Sequence, residues 1–402
     1  MNRLLSKRLN GVAASKSMAA LTEVARLRAQ GHEVLSLTIG EPDFPTPPHV
    51  IEAAIDALRR GETGYRPTNG VPQLRKAVRE RFADSGLVYG EAEITIGAGA
   101  KQLIFAAFAA TVDDGDEIIV PAPYWVSYPD IGTLFRAKIV SPSCLAQDGF
   151  KLRPRQLEAA LTSKTRWLVL NSPNNPTGAV YAPDELAALG EVLQRFPDCL
   201  VLSDEIYQHL IYDEQPFTAF ATANPALRQR VLTVNGVSKA YSMTGFRLGY
   251  AGGPSWLIAG INTILTQDTT CPSSISQLAA VAALNGDQSS LAANRKAYQA
   301  RRDRLVSSVN QISGMKCGTP GGAFYVFASI ADLFGSQTPA RQILDTDTAV
   351  STYFLTQARV ATLPGSAFGA PGYLRFSFAT SMETIDRACE AMAMAVGGLG
   401  LT

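Results

Sequence analysis

The sequence predicts an α/β protein built on a mainly parallel sheet with helices on both faces. Short apolar runs such as Trp167–Leu170 and Leu200–Ser203 recur along the chain, and amphipathic helical stretches such as Pro183–Phe196 lie between several of them. Parallel strands are buried on both faces, so they read as continuous apolar runs, and the helices provide the crossover connections. The length of 402 residues exceeds what one hydrophobic core usually serves and predicts more than one domain.

The N-terminal part of the chain starts with a helix and a proline-rich connection. Ser17–Gln30 has helical spacing of apolar residues and stops before Gly31, a typical residue just past a helix end. The stretch 40–48 contains four prolines, which exclude regular structure there. Further helices are predicted at Val50–Arg60, Gln73–Asp84 and Gln102–Ala110. Further strands are predicted at Val34–Leu37, Ile94–Ile96, Glu117–Val120, Ile139–Ser141, Val231–Val234 and Arg247–Ala251.

The pattern changes from about residue 292, where a second, smaller α+β unit is predicted. The long helix Ala292–Ile312 has a polar face rich in arginine, and a strand follows at Ala323–Phe327. A helix near Thr348–Ala358, a strand at Tyr373–Phe378 and a last helix after Ser381 complete the unit. No internal repeat and no low-complexity segment interrupts it.

Composition and charge exclude several classes of function. The 36 basic and 35 acidic residues give a net charge of +1, so no electrostatic surface for nucleic acid or an anionic membrane is expected. Every apolar stretch is broken before the ~18 residues that a membrane-spanning helix needs. The five cysteines are scattered and the three histidines lie far apart, which argues against a metal site. The cysteine pattern fits a reducing compartment, and we expect a cytoplasmic protein.

The basic N-terminus has two interpretations. Residues 1–22 contain four lysines and arginines but no acid, as a transit peptide would. No apolar segment and no small-residue cleavage site follows, so a basic arm on the surface of the protein is favoured.

The first chemically informative segment is 171–178, which reads Asn-Ser-Pro-Asn-Asn-Pro-Thr-Gly. It follows the apolar run Trp167–Leu170 and so lies at the C-terminal end of a strand, where open α/β sheets bind ligands. The alternative is a plain turn, which Asn, Pro and Gly also serve well.

The second segment is 203–207, where Asp204 ends another apolar strand and Tyr207 follows it. Both side chains are candidates to face one site. The alternative is an aspartate that caps a helix, which is common.

The third segment runs from Asn235 to Tyr250 and contains Ser238, Lys239 and Arg247. A lysine after a strand is usually a solvated surface residue. Small and apolar neighbours surround Lys239, and a lysine in such surroundings has a lowered pKa and can attack an aldehyde. Ser238 and Arg247 suit a phosphate group.

The fourth segment is the strand Tyr373–Phe378, in which Arg375 interrupts an apolar pattern. A buried arginine must find a partner. The alternatives are an internal salt bridge and a forked clamp for a substrate carboxylate.

In this order, the four segments resemble the class I and II aminotransferases, pyridoxal-phosphate enzymes of fold type I. The resemblance runs from Gly-Glu-Pro-Asp-Phe at 40–44 to the last helix, and it is strongest to the bacterial aspartate aminotransferase branch. It implies a seven-stranded sheet and a small domain built from the N-terminal segment and the C-terminal part. The expected boundaries are 1–48 for the arm and part of the small domain, 49–291 for the large domain and 292–402 for the small C-terminal domain.

The resemblance implies roles around the ring of pyridoxal 5′-phosphate. Lys239 matches the lysine that binds the cofactor aldehyde and later moves the substrate Cα proton. Asp204 matches the carboxylate that keeps the pyridine nitrogen protonated. Tyr207 and Asn175 match the groups that hydrogen-bond the cofactor's O3′, and Trp125 matches the aromatic residue stacked on the ring.

The resemblance also implies a phosphate site and a dimer. Gly99, Ala100 and Lys101 open a helix whose backbone N–H groups are expected to meet the phosphate. Ser238 and Arg247 match the residues that complete that site.

Tyr65 matches a tyrosine that the neighbouring subunit supplies to the phosphate. This match implies a homodimer with shared active sites.

On the substrate side, Arg375 and Asn175 match the clamp on the α-carboxylate, with Gly40 and Trp125 nearby. The best-known subgroup reads the distal carboxylate with an arginine in the region matching Leu265–Ser274, where this chain has none. In the bacterial subgroup a lysine at the position of Lys101 can serve instead.

Three departures from the pattern bear on specificity. Gly236 replaces the phosphate-binding serine of the best-known subgroup, in agreement with the other bacterial subgroup. Asp268 places an acid where a dicarboxylate would be repelled. The stretch 10–13 lacks the basic residue that related enzymes use for prephenate, so that activity is not expected.

Three functions compete on these observations. The first is transamination between an L-amino acid and a 2-oxo acid, with aspartate and 2-oxoglutarate favoured. The second is a specialised aminotransferase for an aromatic or cationic amino acid, or another pyridoxal-phosphate reaction such as β-elimination. The third is a non-catalytic regulator, which ranks last because only about 40 residues and no basic domain precede Gly40.

Overall fold

The computed structural model describes residues 5–12 and 16–400 of the chain. The first residues of the expected N-terminal arm, including Arg3, lie outside the described residues, as do 13–15 and 401–402. Ala13 therefore lies outside them as well.

Within the described residues, twelve strands form three sheets. The strands are β1 Leu35–Ser36, β2 Ile94–Gly97, β3 Glu117–Ile119, β4 Lys138–Val140, β5 Thr165–Asn171, β6 Leu200–Asp204, β7 Val231–Gly236, β8 Gly249–Gly252, β9 Tyr325–Ser329, β10 Val360–Ala361, β11 Leu363–Pro364 and β12 Tyr373–Ser377.

In the part of the chain that the structure describes, none of the helices has the length and apolar character of a membrane span. The α-helices of the described chain surround these sheets. They are α1 Lys16–Ala29, α2 Pro48–Arg59, α3 Pro72–Asp84, α4 Ala100–Thr111, α5 Ser127–Leu134, α6 Pro154–Ala160, α7 Pro183–Gln194, α8 Phe220–Ala223, α9 Ser255–Asp268, α10 Ser274–Asn285, α11 Ser289–Asn310, α12 Asp347–Tyr353 and α13 Met382–Gly397.

The largest sheet has seven strands in the order β2-β8-β7-β6-β5-β3-β4. Strand β8 pairs antiparallel with both of its neighbours, and the other pairs are parallel. The predicted mainly parallel sheet is therefore confirmed.

Alternate residues of the central strands enter two different cores. In β5, Trp167 and Val169 pack with α4, α5 and α9, while Leu168 and Leu170 pack with α7 and α10 on the opposite face. Successive side chains of a strand point to opposite faces, so a run that is apolar at every position needs helices on both sides. This is the physical reason for the layer structure.

The second core confirms the smaller α+β unit. Strands β11, β12 and β9 form an antiparallel sheet, and α11 and α13 pack on it through residues such as Leu305 and Ile385. Strand β1 pairs in parallel with β10, Leu35 opposite Val360, which joins the N-terminal segment to the C-terminal part. The exact domain boundaries stay predictions.

Two predicted strand starts are wrong for the same physical reason. The strand predicted at Arg247–Ala251 begins at Gly249 instead, because Arg247 follows a 3₁₀ turn with a left-handed φ of 51°. The strand predicted from Ala323 begins at Tyr325, and Ala323 has a φ of 56°. A backbone with positive φ does not continue an extended ladder.

Gly249 gives a test of the fit between β8 and the start of α4. A Cβ at this position would lie 2.3 Å from the backbone nitrogen of Ala100, and backbone atoms cannot move aside as a flexible side chain can. We expect Gly249→Ala to reduce the free energy of unfolding by about 1–3 kcal/mol, as overpacking of a core does.

The measurement is urea unfolding followed by circular dichroism. Gly245→Ala is the matched control, because a Cβ there meets no atom of the described chain within 4 Å. Equal stability of the two variants would contradict the packing argument.

Candidate active site

Three of the four sequence segments meet at one edge of the large sheet. Strands β5, β6 and β7 are parallel, with Asn171 opposite Asp204 and Asp204 opposite Val234. The segments that follow these strands therefore leave the sheet on the same side, which is where open α/β sheets bind ligands.

Lys239 lies in the turn after β7, and its ammonium donates a hydrogen bond to the carbonyl oxygen of Gly40, with Nζ···O 2.6 Å. Enclosure in the protein lowers the pKa of Lys239 to about 8, although Glu41 and Asp204 favour the charged form. A lowered pKa makes part of the amine neutral near pH 7, so Lys239 can act as a nucleophile or a base. The interpretation of Lys239 as a solvated surface lysine is thus not supported.

Asp204 ends β6 and is buried. The Tyr128 hydroxyl donates to Oδ2 at 2.6 Å and the Ile206 N–H donates to Oδ1 at 3.2 Å. Burial raises the pKa of Asp204 to about 6, against the effect of these two hydrogen bonds. The carboxylate is therefore mostly ionised at neutral pH, and its negative charge favours the protonated form of Lys239.

Tyr207 is buried beside a second tyrosine from the smaller sheet. The hydroxyl oxygens of Tyr207 and Tyr325 lie 2.9 Å apart, and either one can donate the hydrogen bond. Burial raises the pKa of Tyr207, so this hydroxyl is protonated at neutral pH.

Arg375 on β12 reaches from the smaller sheet to the first segment. Its Nη1 donates to Asn175 Oδ1 at 3.0 Å and its Nη2 donates to the Thr38 carbonyl at 2.7 Å. The guanidinium carbon lies 4.3 Å from the ring centre of Tyr325 and 5.1 Å from that of Phe368.

Arg375 is 4% exposed, and its Nε has no hydrogen-bond partner among the described residues. No carboxylate of the described chain lies within ion-pair distance of its guanidinium, so the alternative of an internal salt bridge is not supported. A buried guanidinium without an anion has a strong tendency to bind one.

A glycine before α4 allows an arginine to approach the first turn of that helix. Gly99 has a φ of 90°, and a Cβ there would lie 2.7 Å from Nη2 of Arg247. The guanidinium of Arg247 therefore faces the start of α4, where the first N–H groups of the helix at Ala100 and Lys101 have no acceptor within the helix. Ser238 is buried in the turn before Lys239. Free N–H groups, a helix dipole and an arginine together fit a phosphate group.

Lys101 and Trp125 lie against each other at this site. The Lys101 ammonium is 4.7 Å from the Trp125 ring centre, a cation–π contact. Partial burial and Arg247 lower the pKa of Lys101, and Asp130 opposes that effect. Lys101 thus brings a cation to the rim of the site.

Two residues from the sequence analysis have a different position from the rest. Asp268 accepts a hydrogen bond from the Gln102 side-chain amide at 2.5 Å, so its carboxylate has a partner within the chain. Tyr65 is 87% exposed and does not close the site of its own chain.

Sequence reasoning missed four residues that contact the site: Thr38, Tyr128, Tyr325 and Phe368. Tyr128 follows Trp125 by three positions, its N–H donates to the Trp125 carbonyl at 3.1 Å in the turn that leads into α5, and the two ring centres lie 5.2 Å apart. The other three come from distant parts of the chain and carry no local pattern that reveals the contact. Among the described residues, no group of three or more His, Cys, Asp or Glu side chains could hold a metal ion.

Comparison with protein families identifies the kind of protein to which this chain is similar. Residues 32–392 match the family model described as aminotransferase class I and II. An aspartate aminotransferase of Rhizobium meliloti is 46% identical over 97% of this chain and 95% of its own length. An aspartate/prephenate aminotransferase of Cereibacter sphaeroides is 45% identical over 98% of this chain and 99% of its own length.

Solved structures agree with these relatives. The crystal structure of the Rhizobium meliloti aspartate aminotransferase has a TM-score of 0.96 at 46% identity, covering 98% of this chain and 99% of that one. The Thermus thermophilus aspartate aminotransferase with maleate has a TM-score of 0.91 at 39% identity, covering 98% and 100%. An aromatic aminotransferase from Pyrococcus horikoshii has a TM-score of 0.85 at 37% identity, covering 93% and 98%.

The raised pKa of Asp204 makes a prediction about stability and pH. Between about pH 4 and pH 6 the folded protein retains a proton on Asp204 that the unfolded chain has released, so folding stability falls as the pH rises through this window. Asp204→Asn removes this cost and should stabilise the cofactor-free protein at pH 7.5 by about 1–3 kcal/mol, with little change at pH 4.

Urea unfolding of both proteins across that pH range measures the difference. Tyr128→Phe is the companion variant, because loss of the donor should raise the pKa of Asp204 further and destabilise the protein at pH 7.5. A stabilisation by Asp204→Asn of equal size at pH 4 would contradict the assignment.

Proposed function

This chain belongs to the class I and II aminotransferase family, and we propose that it uses pyridoxal 5′-phosphate to transfer the amino group of L-aspartate to 2-oxoglutarate. The observation that carries the proposal is the position and the lowered pKa of Lys239. Its amine has a pKa lowered to about 8 and lies at the sheet edge where β5, β6 and β7 end. This is the group that the chemistry needs at the place where the fold binds ligands.

The residues present fit the cofactor. The guanidinium of Arg247 lies against Gly99 at the start of α4, and together with the free N–H groups of that helix it would suit the phosphate. Asp204 would pair with the pyridine nitrogen, Tyr207 and Asn175 would bond O3′, and Trp125 would stack on the ring. Ser238 would complete the phosphate site.

When bound, the cofactor supplies an electron sink for the electrons released at the substrate Cα. The charge of Asp204 sustains that sink, because a buried carboxylate favours a protonated nitrogen beside it. The hydrogen bond from Tyr128 helps to keep Asp204 ionised despite its burial.

Lys239 moves the proton of the reaction. Its Nζ would take the proton from Cα of the amino acid and donate it to the C4′ carbon of the cofactor, so that one positioned amine serves first as base and then as acid. The carbonyl of Gly40 accepts a hydrogen bond from Nζ and holds the amine in place.

Arg375 binds the α-carboxylate common to all amino acids. Asn175 and the Thr38 carbonyl fix two of its nitrogens, so the fork is oriented before the substrate arrives. A preoriented guanidinium loses less entropy on binding than a free side chain does.

Aspartate is the proposed donor because relatives at 45–46% identity are named for it and because Lys101 supplies a cation for the second carboxylate. Asp268 should repel a dicarboxylate substrate less strongly than a free carboxylate would, because one of its oxygens accepts a hydrogen bond from the Gln102 side chain. The stretch 10–13 carries no basic residue, so the proposal is not extended to prephenate.

We also propose a homodimer in the cytoplasm. An aromatic side chain that is 87% exposed, as Tyr65 is, fits a residue that enters the active site of a partner subunit. The five cysteines are free thiols, which fits a reducing compartment.

Lys239→Ala tests the proposed function directly. Without the amine, the protein should lose the absorbance of covalently bound pyridoxal phosphate and nearly all aspartate–2-oxoglutarate transamination. Borohydride reduction of the wild type followed by peptide mapping identifies the modified lysine. A label on another lysine would show that the assignment is wrong.

Lys101→Ala tests the choice of substrate. A charge-assisted hydrogen bond to the far carboxylate contributes about 1.5–3 kcal/mol, so kcat/KM for aspartate and glutamate should fall by about 10- to 150-fold. Alanine and phenylalanine should change little, because they lack that carboxylate.

Arg375→Lys is the matched control, since it should weaken the binding of every amino acid substrate while the cofactor stays bound. If Lys101→Ala lowers kcat/KM for all substrates equally, Lys101 does not bind the second carboxylate.

A further inference from the structure

We propose that Tyr325 is a positioning residue that joins the carboxylate clamp at Arg375 to the hydroxyl of Tyr207. The proposal rests on the proposed function, in which Arg375 binds the substrate and Tyr207 bonds the cofactor. It assigns separate tasks to the ring and to the hydroxyl of one side chain.

Tyr325 touches three residues of the candidate site at once. Its hydroxyl oxygen is 2.9 Å from that of Tyr207, and its ring centre is 4.3 Å from the guanidinium carbon of Arg375. A Cβ on Gly40 would lie 3.1 Å from the same hydroxyl oxygen. Tyr325 is 1% exposed, so these contacts are not shared with bulk water.

The ring of Tyr325 fixes the plane of the Arg375 guanidinium. The ring of Phe368 lies 5.1 Å from the same carbon, and together the two rings confine the group. Asn175 and Thr38 occupy two of its nitrogens, but a planar fork binds a carboxylate well only when its plane is also set. Removing the ring should therefore weaken carboxylate binding.

The direction of the hydrogen bond between Tyr325 and Tyr207 follows from the number of protons that the two hydroxyls can donate. A tyrosine hydroxyl has one proton to donate and lone pairs that accept. If Tyr207 gives its proton to O3′ of the bound cofactor, then Tyr325 must be the donor between the two hydroxyls. A donor to Tyr207 polarises it and strengthens the bond that Tyr207 itself makes.

The Tyr325 hydroxyl also lies close to Gly40. Gly40 provides the carbonyl that accepts the hydrogen bond from Lys239, and a Cβ at this position would come within 3.1 Å of the Tyr325 hydroxyl oxygen, a tight contact. Tyr325 thus lies where the proposed substrate, cofactor and lysine contacts meet, and it does so without a charge of its own.

Tyr325→Phe and Tyr325→Leu separate the two tasks. For Tyr325→Phe the affinity for maleate, a dicarboxylate that does not react, should stay within about twofold because the ring is kept. The pH at which the absorbance of the bound cofactor changes should move upward, because O3′ loses stabilisation of its negative charge, and kcat should fall by about 2- to 12-fold.

For Tyr325→Leu the dissociation constant of maleate should also rise, by about 2- to 30-fold, because the cation–π contact is lost. Tyr353→Phe is the matched control: it removes a buried tyrosine hydroxyl that donates to the Ala395 carbonyl, away from the site, and should leave both readouts unchanged.

An unchanged absorbance titration in Tyr325→Phe would overturn the role of the hydroxyl, and unchanged maleate affinity in Tyr325→Leu would overturn the role of the ring. Thermal unfolding of the variants shows whether they are folded, and a misfolded Tyr325→Leu leaves the hydroxyl test on Tyr325→Phe decisive. Failure of the wild type to bind pyridoxal phosphate would instead contradict the proposed function.

Discussion

The parallel register of β5, β6 and β7 is the constraint on which the candidate site depends. These strands end at Asn171, Asp204 and Gly236 on the same edge of the sheet. Strand β2 runs in the same direction, because β8 lies antiparallel between it and β7, so Gly97 and the start of α4 reach that edge too. Helices cover both faces of this sheet, so a ligand can reach its strands only at their ends, and the candidate site lies there.

Burial then acts in opposite directions on the charges that meet at this edge. It lowers the pKa of Lys239 to about 8 and raises that of Asp204 to about 6, because a poorly solvated site disfavours the charged form of both. Glu205, next to Asp204, has its pKa raised by burial to about 8, so it is mostly neutral at pH 7. The edge therefore holds in Asp204 a buried carboxylate that is mostly ionised, and in Lys239 an amine that can exchange a proton.

Arg375 connects the two cores of the protein at the same point. It belongs to the smaller sheet, yet it bonds Asn175 of the large sheet's edge and the Thr38 carbonyl just after β1. Tyr325, two strand residues away across the β9–β12 pairing, stacks on it and reaches Tyr207. The proposed carboxylate clamp thus depends on the contact between the two units, and neither unit provides all of its residues alone.

The sequence by itself determined the layer structure and predicted which groups are reactive. Apolar runs separated by helical periodicity specify a covered parallel sheet, and the short motifs around Asn175, Asp204 and Lys239 follow strands, which is a local property of the chain. It did not determine the exact starts of strands at Arg247 and Ala323, because a left-handed backbone has no reliable signal in those residue types. Only the tertiary structure decided that Tyr128 bonds Asp204, that Tyr325 stacks on Arg375 and that Asp268 is bonded to Gln102. These pairs are 76, 50 and 166 residues apart, and a contact over such a separation depends on how the elements pack rather than on any pattern within them.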